Sequence, residues 1–478
     1  MLMTRSIISM LCNNSYLKPN IWNSLGTVVP QLQAVMVPQQ LVTCGIADLA
    51  GALALCDWSQ LQQRRRNLAR RHCSPREASS YFSKMSDIGG LEINHFLDLL
   101  NRTSSGNSCD IKPLILQASA NMFCQYMCSV RFDYTDKDFQ KIVEYFDEIF
   151  WEINQGYSFD FLPWLIPFYN NHIQKIVHWS TIIRKFIIDR IVNNREININ
   201  LEEPDKDFTD ALLKSLKEDQ NVPRNTILFM LEDFIGGHSA VGNLVMLALA
   251  YIAKNPLIGQ QIKQEVDTVS KNGVKSISLY DMNVMPYTMA SISEVLRYSS
   301  SPIVPHVAMK DTVISGYGVT KGTIVFINNF ILNTNEQNWT YPDQFEPERF
   351  LERKYTNQIN VPVKWNDDRK SLQGSDSVVH FDEEKHSKCS KIMLRKKGII
   401  NGYQLKKTIP HFIPFSVGKR TCIGQNLVRG FGFLLLANII QNYNVSSTDF
   451  SKIILEKSSV ALPTKCFELL LRPRHKFD

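Results

Sequence analysis

Five residues near the C-terminus have the types and the spacing of a site that holds a metal. Phe415, Gly418, Arg420, Cys422 and Gly424 form the pattern F-x-x-G-x-R-x-C-x-G. At ordinary residue frequencies, a chain of this length would show the pattern by accident with odds on the order of one in ten thousand. We therefore interpret the segment as a functional site.

The chemistry that fits this spacing is cysteine ligation of haem. Cys422 lies just before a predicted helix from Gly424 to about Asn442, and a helix N-terminus favours the thiolate, which is a metal ligand. Gly418 allows the positive φ of a tight loop, Gly424 lets a planar ligand approach the backbone, and Arg420 suits an anionic carboxylate. Thiolate ligation favours O–O cleavage at haem iron. The alternative is a buried structural cysteine.

The segment 415–424 resembles the haem-binding loop of the cytochrome P-450 superfamily, and other motifs match that family in the same order. Residues 294–297 (EVLR) resemble its E-x-x-R motif, residues 347–350 (PERF) resemble its P-E-R-F box, and residues 234–240 occupy the place of its central helix. The resemblance runs from about Ala52 to the C-terminus. Finer matches at 236–250 and 421–432 resemble the Spook and Spookier group of insect Halloween enzymes of ecdysteroid synthesis.

This resemblance implies a mainly α fold with small β-sheets and a long central helix over haem b. It implies a monooxygenase that oxidises a sterol or ecdysteroid precursor with dioxygen, using electrons passed from NADPH by NADPH-cytochrome P-450 reductase. It also implies the cytosolic face of the endoplasmic reticulum membrane. Two alternatives remain open: a haem-thiolate isomerase or dehydratase that needs no external electrons, and a haem-binding but inactive product of an aberrant N-terminus.

Composition favours one large helix-rich domain, because 44% of the 478 residues are hydrophobic and 26 are Phe. Ten cysteines without a C-x-x-C pair indicate a reducing compartment and no disulfides. The net charge of +7 is modest, and basic runs such as 64–66 and 395–397 are either solvated faces or, by the resemblance, a surface for an acidic reductase. We expect no nucleic-acid partner, because no binding motif accompanies these charges.

The resemblance is irregular at its N-terminal end and between the P-E-R-F box and the haem-binding loop. Residues 1–45 contain neither a recognisable membrane anchor nor a proline-rich hinge, so we expect the N-terminal part of the fold to be incomplete or replaced, with the haem-thiolate domain spanning 46–478. No stretch reaches 18 uncharged apolar residues, so no transmembrane helix is predicted, although the family resemblance implies membrane association. Residues 366–408 are polar and charge-dense and predict an exposed insertion.

A helix from Arg224 to Lys254 is predicted between Pro223 and the Asn255-Pro256 stop. It would be roughly 46 Å long, which fits a helix that crosses the centre of a domain. Its two interior glycines, Gly236 and Gly237, cost about 2 kcal/mol of helix propensity. We expect Gly237 to allow a flat cofactor and dioxygen to approach, and the alternative is packing against a neighbouring helix.

The chain departs from the family just after these glycines. Relatives carry an acid and then a threonine that relay protons, whereas this chain has Ser239 and Ala240. Ser239, His238, a bound water or a substrate hydroxyl could supply the protons instead. The alternative for His238 is that its ring only forms hydrogen bonds with neighbouring groups, as is more common for a histidine in a helix.

Several other side chains are expected to hold the cofactor and its surroundings. Glu294 and Arg297 lie on one helix face and can pair, and the resemblance implies that Arg349 completes a buried charge network. Cations or donors for the haem propionates would come from three side chains: Arg420, His306 and Trp58, the last with help from Gln62 or Arg65. The aromatic run 159–169 and residues 300–305 are candidates for an apolar substrate pocket, although core packing explains them equally well.

Overall fold

The computed structural model describes the backbone of residues 32–34 and residues 59–103, 108–158, 163–218, 224–300, 306–353, 402–457 and 459–474. Trp58, residues 301–305, nearly all of 1–45 and residues 366–401 of the predicted insertion lie outside the described residues.

The described chain is mainly helical, as the sequence predicted. In chain order the α-helices are α1 Gln60–Cys73, α2 Ser80–Thr103, α3 Lys112–Cys128, α4 Lys137–Ile153, α5 Asn170–Ile187, α6 Asn193–Asn198, α7 Phe208–Glu218, α8 Arg224–Ile235, α9 Gly237–Lys254, α10 Pro256–Ser270, α11 Pro286–Ser299, α12 Asn329–Thr334 and α13 Gln425–Asn442. Shorter 3-10 segments include Pro163–Tyr169, Pro347–Phe350 and Gly418–Arg420.

The strands are short and pair antiparallel in small sheets, which confirms the predicted fold class. They are β1 Leu32–Ala34, β2 Ser108–Cys109, β3 His306–Ala308, β4 Thr312–Ile314, β5 Tyr317–Val319, β6 Ile324–Val325, β7 Leu351–Arg353, β8 Tyr403–Leu405, β9 Tyr443–Ser446 and β10 Leu469–Pro473. The sheet orders are β1-β3-β6, β2-β10-β9, β4-β5 and β7-β8. In the first sheet His306 of β3 is in register with Val325 of β6.

The core forms where α9 crosses α3 and α13. Both α9 and α13 carry one charged residue each and are apolar on nearly every side, so they can be stable only when other elements cover them. Leu244 and Leu247 of α9 and Phe431 and Leu434 of α13 are at most 1% exposed. The two helices therefore form the centre around which the others pack.

The predicted central helix is present, with one interruption. Helices α8 and α9 follow each other directly and are separated only by a turn at Gly236. The stop also lies where the sequence placed it, because α9 ends at Lys254 and Pro256 begins α10. Within the described part of the chain, Arg224–Lys254 is the one helix long and apolar enough to cross a membrane, and 83% of its most apolar window is buried by the fold.

Two adjacent glycines of α2 give a matched test of this packing. A Cβ atom on Gly89 would lie 2.3 Å from Leu434 Cδ1 of α13, whereas one on Gly90 would meet no atom within 4 Å. We expect Gly90→Ala to raise the free energy of unfolding by about 1 kcal/mol through helix propensity. We expect Gly89→Ala to be about 1–3 kcal/mol less stable than Gly90→Ala because Leu434 must move. Unfolding followed by circular dichroism measures both, and equal stabilities would contradict the close contact.

Candidate functional site

The loop that carries Cys422 is folded back on itself by backbone hydrogen bonds. The N–H of Cys422 donates to the carbonyl of Phe415 at 2.9 Å, and the N–H of Thr421 donates to the carbonyl of Gly418 at 3.2 Å. Closing so short a loop requires left-handed backbone at two positions, Ser416 with φ of 61° and Gly418 with φ of 69°. Gly418 therefore has the positive φ that its position predicted.

The sulfur of Cys422 lies at the start of α13 and faces open space. Burial by surrounding atoms raises the pKa of the thiol, while the backbone N–H groups of Gly424 and Gln425 and the charge of Arg66 lower that pKa. The residue is nevertheless exposed to solvent. A side chain that is exposed and yet surrounded by protein atoms lines a crevice, which is where a ligand can reach the sulfur.

Arg66 of α1 links this loop to the rest of the fold. Its side chain is buried, and its guanidinium donates to the carbonyl of Thr421 at 2.7 Å, one residue before Cys422. The neighbouring Arg65 donates to the hydroxyl of Thr226 on α8 at 3.3 Å. Gln62 and Arg65 are predicted from the sequence and Arg66 is not, although Arg66 follows Gln62 at the helical spacing of four that places side chains on one face.

Between Thr226 and Ala253 the central helix is buried except at one stretch. Asp233 is exposed and Glu232, Gly236, Gly237 and Ala240 are half-buried, whereas residues 234, 235, 238 and 239 are buried. Asp233 lies three residues before Gly236 and four before Gly237, and Gly237 lies three residues before Ala240. These spacings place the four residues on one face of the helix. We call Asp233, Gly236, Gly237 and Ala240 the window.

Covered residues border the window at both ends of the same face. Thr226, two turns before Asp233, is 1% exposed and bonded to Arg65 of α1. Leu244, one turn after Ala240, packs on α13, where a Cβ atom on Gly432 would lie 3.3 Å from Leu244 Cδ2. Because α1 holds the Cys422 loop and α13 begins directly after that loop, we expect the window and the sulfur to border one crevice. Along the two helices, the distance from Leu244 to Gly237 and the distance from Gly432 to Gln425, where α13 begins, are each roughly 10 Å.

His238 and Ser239 do not belong to the window, and a role for either of them in a proton relay remains a proposal. His238 is fully buried, its Nδ1 lies 2.6 Å from the carbonyl oxygen of Ile235, and its ring meets the Phe146 ring edge-on at 5.4 Å. Burial lowers the pKa of His238 to about 4. Ser239 is also fully buried, and its hydroxyl has no hydrogen-bond partner in the described part of the chain. Both lie on faces of α9 that other helices cover.

The two glycines of the window face neighbouring helices on the side where a side chain would project. A Cβ atom on Gly237 would lie 3.1 Å from the Phe123 ring of α3, and one on Gly236 would lie 3.2 Å from the Phe146 ring of α4. Helix packing, the alternative that the sequence left open, therefore explains both glycines. A role for Gly237 toward a cofactor remains a proposal.

The charged residues of the two family-like motifs lie together in the interior. Arg297 donates two hydrogen bonds to the Glu294 carboxylate at 2.7 and 2.8 Å, and Arg349 Nε donates to Glu294 Oε1 at 3.2 Å. Glu294 is fully buried, and burial raises the pKa of its carboxyl while both arginines oppose that rise. Arg297 also donates to the carbonyls of Asn333 and Pro342 at 2.6 and 2.9 Å. The network thereby fixes the segment 333–349 to α11.

The remaining predicted residues are spread around the site. Arg420 is half-buried and ends the 3-10 turn before Cys422, and His306 is 3% exposed at the start of β3. Phe415 is half-buried, and the Arg429 guanidinium lies 5.2 Å from the centre of its ring. Propionate binding by Arg420 and His306 remains a proposal. Residues 163–169 of the aromatic run form a 3-10 segment in which Trp164 and Phe168 are 63% and 83% exposed.

The donor set around the crevice fits haem. One thiol faces open space at a helix N-terminus, and a guanidinium two residues earlier suits a carboxylate. Gly424, where a planar group would approach, leaves that space free, because a Cβ atom there would meet only Cys422 Sγ, at 4.0 Å.

Comparisons with known proteins agree with this geometry. The family model described as Cytochrome P450 matches residues 38–366 and 380–471. The chain is 61% identical to Cytochrome P450 307a1 of Drosophila melanogaster over 430 residues, which cover 90% of this chain and 74% of that protein. It is 26% identical to Cytochrome P450 2J5 of Mus musculus over 396 residues, which cover 80% and 68% of the two chains. It is 25% identical to Steroid 17-alpha-hydroxylase/17,20 lyase of Rana dybowskii over 380 residues, which cover 76% and 64%.

The buried charge network predicts how one substitution acts. Arg297→Ala would leave the Glu294 carboxylate with one arginine in the interior, which typically costs about 3–5 kcal/mol. We expect protein that retains little or no haem, as measured by the ratio of haem to protein absorbance after purification. Arg353→Ala is the control, because Arg353 is exposed at the end of β7. Full haem in Arg297→Ala would show that the network does not support the site.

Arg66 provides a second test. Arg66→Gln removes the cation beside Cys422 and weakens the bond to the Thr421 carbonyl, so we expect haem to be lost severalfold faster to an apo-globin acceptor. Arg64→Gln on the exposed side of α1 should match the parent protein. Equal rates in both variants would exclude Arg66 from the support of the loop.

Proposed function

Because the chain belongs to the cytochrome P450 family, whose members use haem and carry out oxidations of the monooxygenase type, we propose that Cys422 is the axial ligand of haem iron. The observation that carries this proposal is the position of the sulfur, which is exposed at the start of α13 and opens into the crevice below the window. Haem ligated by a thiolate supplies the cleavage of dioxygen that monooxygenation needs.

The residues of the chain would support this cofactor in different ways. Arg420 would bind a propionate, and Arg66 would hold the ligand loop through the Thr421 carbonyl. The N–H groups of Gly424 and Gln425 donate toward the sulfur and would stabilise its ionised form. The network of Glu294, Arg297 and Arg349 would keep the surrounding segments in place.

We propose a sterol or an early ecdysteroid precursor as substrate. Three observations support this class: the motifs at 236–250 and 421–432, the 61% identity to an insect cytochrome P450, and the similarity to a protein named for steroid hydroxylation.

A microsomal reductase is the proposed electron donor. The exposed arginines of α1, Arg64, Arg70 and Arg71, lie on the helix that holds the Cys422 loop and suit an acidic partner surface. The cytosolic face of the endoplasmic reticulum is the proposed location.

One observation favours a second candidate. The acid and the threonine that relatives carry in the central helix are absent, since Ser239 and Ala240 stand at those positions. A haem-thiolate isomerase or dehydratase needs no delivery of protons to dioxygen and no external electrons. This candidate therefore competes with monooxygenation for the same site.

The ligand assignment is tested by the carbon monoxide difference spectrum of the reduced protein. The parent should show the long-wavelength band of haem with a thiolate ligand, and Cys422→Ser should lose that band. Cys466→Ser is the control, because Cys466 lies in the segment before β10 and is half-buried. An unchanged band in Cys422→Ser would assign the ligand elsewhere.

The reaction type is tested with a sterol present. Consumption of NADPH and dioxygen separates monooxygenation from isomerisation, which proceeds without either.

A further inference from the structure

A second ion pair is fully buried in the interior, between α3 and α4. Neither Lys112 nor Asp147 exposes its side chain to solvent, and Lys112 Nζ lies 2.5 Å from Asp147 Oδ2. Lys112 also donates to the carbonyls of Leu462 and Pro463 at 2.8 and 3.1 Å. Two charges removed from water cost much of the energy that their attraction returns, and apolar replacements of such pairs are often as stable. Stability alone therefore does not account for the pair.

Asn243 of α9 connects this ion pair to the central helix. Its amide nitrogen donates to Asp147 Oδ1 at 2.7 Å and to the carbonyl of Ser239 at 2.8 Å. Its amide oxygen accepts from the N–H of Leu462 at 2.9 Å. The side chain is fully buried, so both hydrogens and the oxygen of the amide are used by protein groups.

Only one orientation of this amide satisfies its three partners. An ionised carboxylate and a backbone carbonyl can only accept hydrogen bonds, so the amide nitrogen must face Asp147 and Ser239, and the oxygen must face the N–H of Leu462. Lys112 supplies the positive charge that matches the Asp147 carboxylate in the interior. The ion pair thereby fixes the orientation of Asn243.

The position of Asn243 on α9 places these bonds beside the window. Asn243 follows Gly236 by seven residues, or two turns, and Ala240 by three, so it lies on the Gly236 edge of the window face. Helix α4 packs on that edge, because a Cβ atom on Gly236 would lie 3.2 Å from the Phe146 ring. Asp147 is the next residue of α4. The bond from Asn243 to Asp147 therefore fixes how α4 lies on the central helix at the turns that carry the window.

We infer that Asn243, oriented by the buried Lys112–Asp147 pair, is a positioning residue that holds α4 and the segment at Leu462 and Pro463 on the central helix and so sets the surroundings of the window. This inference rests on the proposed haem site. Asn243 acts through the elements that it joins, so it is not a catalytic residue.

Asn438 of α13 provides a matched control. It is 2% exposed, and its amide nitrogen donates to the carbonyl of Leu434, four residues earlier, at 2.9 Å and to the carbonyl of Ile277 at 3.2 Å. Along α13 it lies roughly 20 Å from the start of the helix at Gln425. Its loss therefore removes a similar buried amide without touching the window.

The test records the infrared C–O stretch of carbon monoxide bound to the reduced, haem-loaded protein. The frequency and width of this band respond to the polar and steric surroundings of the bound molecule. Asn243→Leu removes all three hydrogen bonds at similar side-chain volume, so we expect a shifted or broadened band. Because one lost hydrogen bond is worth about a tenfold change in a local equilibrium, hydrogen exchange of the Leu462 amide should be about tenfold faster. Asn438→Leu should lower the midpoint of thermal unfolding comparably and keep the infrared band of the parent.

A changed band in Asn243→Leu with the parent's band in Asn438→Leu supports the inference. The parent's band in Asn243→Leu, the same change in both variants, or unchanged exchange at Leu462 would overturn it. If Asn243→Leu does not fold, the double variant Lys112→Met/Asp147→Leu removes the pair that orients Asn243, and the same band readings decide. A parent that lacks the long-wavelength carbon monoxide band would instead refute the proposed haem ligand, which is a different result from a parent with that band and a variant identical to it.

Discussion

The close crossing of α9 and α13 is the constraint on which the rest of the structure depends. At Gly432 the absence of a side chain lets Leu244 approach, and this contact sets the separation between the open face of the central helix and the start of α13. Cys422 lies three residues before Gln425, where α13 begins, so the position of its sulfur follows from the crossing. The backbone of the loop then needs left-handed conformations at Ser416 and Gly418 to reach back to Phe415.

Two sets of charged residues support the site, and they differ in how much stability is lost when one partner is removed. The Glu294 carboxylate is buried and accepts hydrogen bonds from Arg297 and Arg349, and Arg297 in turn donates to backbone carbonyls, so loss of one partner leaves an unmatched charge in the interior. Arg66 instead makes one described bond to the ligand loop, at a carbonyl rather than an acid. The first network fixes the scaffold, and the second contact adjusts the surroundings of the sulfur.

Much of this arrangement could be predicted from the sequence, because it depends on local signals. Proline and asparagine at 255–256 marked the end of the central helix, and a glycine two residues before an arginine marked the tight loop before Cys422. Which face of the central helix remains open could not be predicted. Periodicity relates Asp233 to Gly237 and Ala240, but which face remains open depends on where α3, α4 and α13 pack. For that reason the burial of His238 and Ser239 and the contact of Arg66 with the Cys422 loop could not be predicted.

The bond between Arg66 and the Thr421 carbonyl has a structural consequence. One side of α1 faces solvent through Arg64, Arg70 and Arg71, and its other side grips the loop one residue before the sulfur. The same helix of about 21 Å therefore joins a row of solvent-exposed arginines to the loop that carries the sulfur.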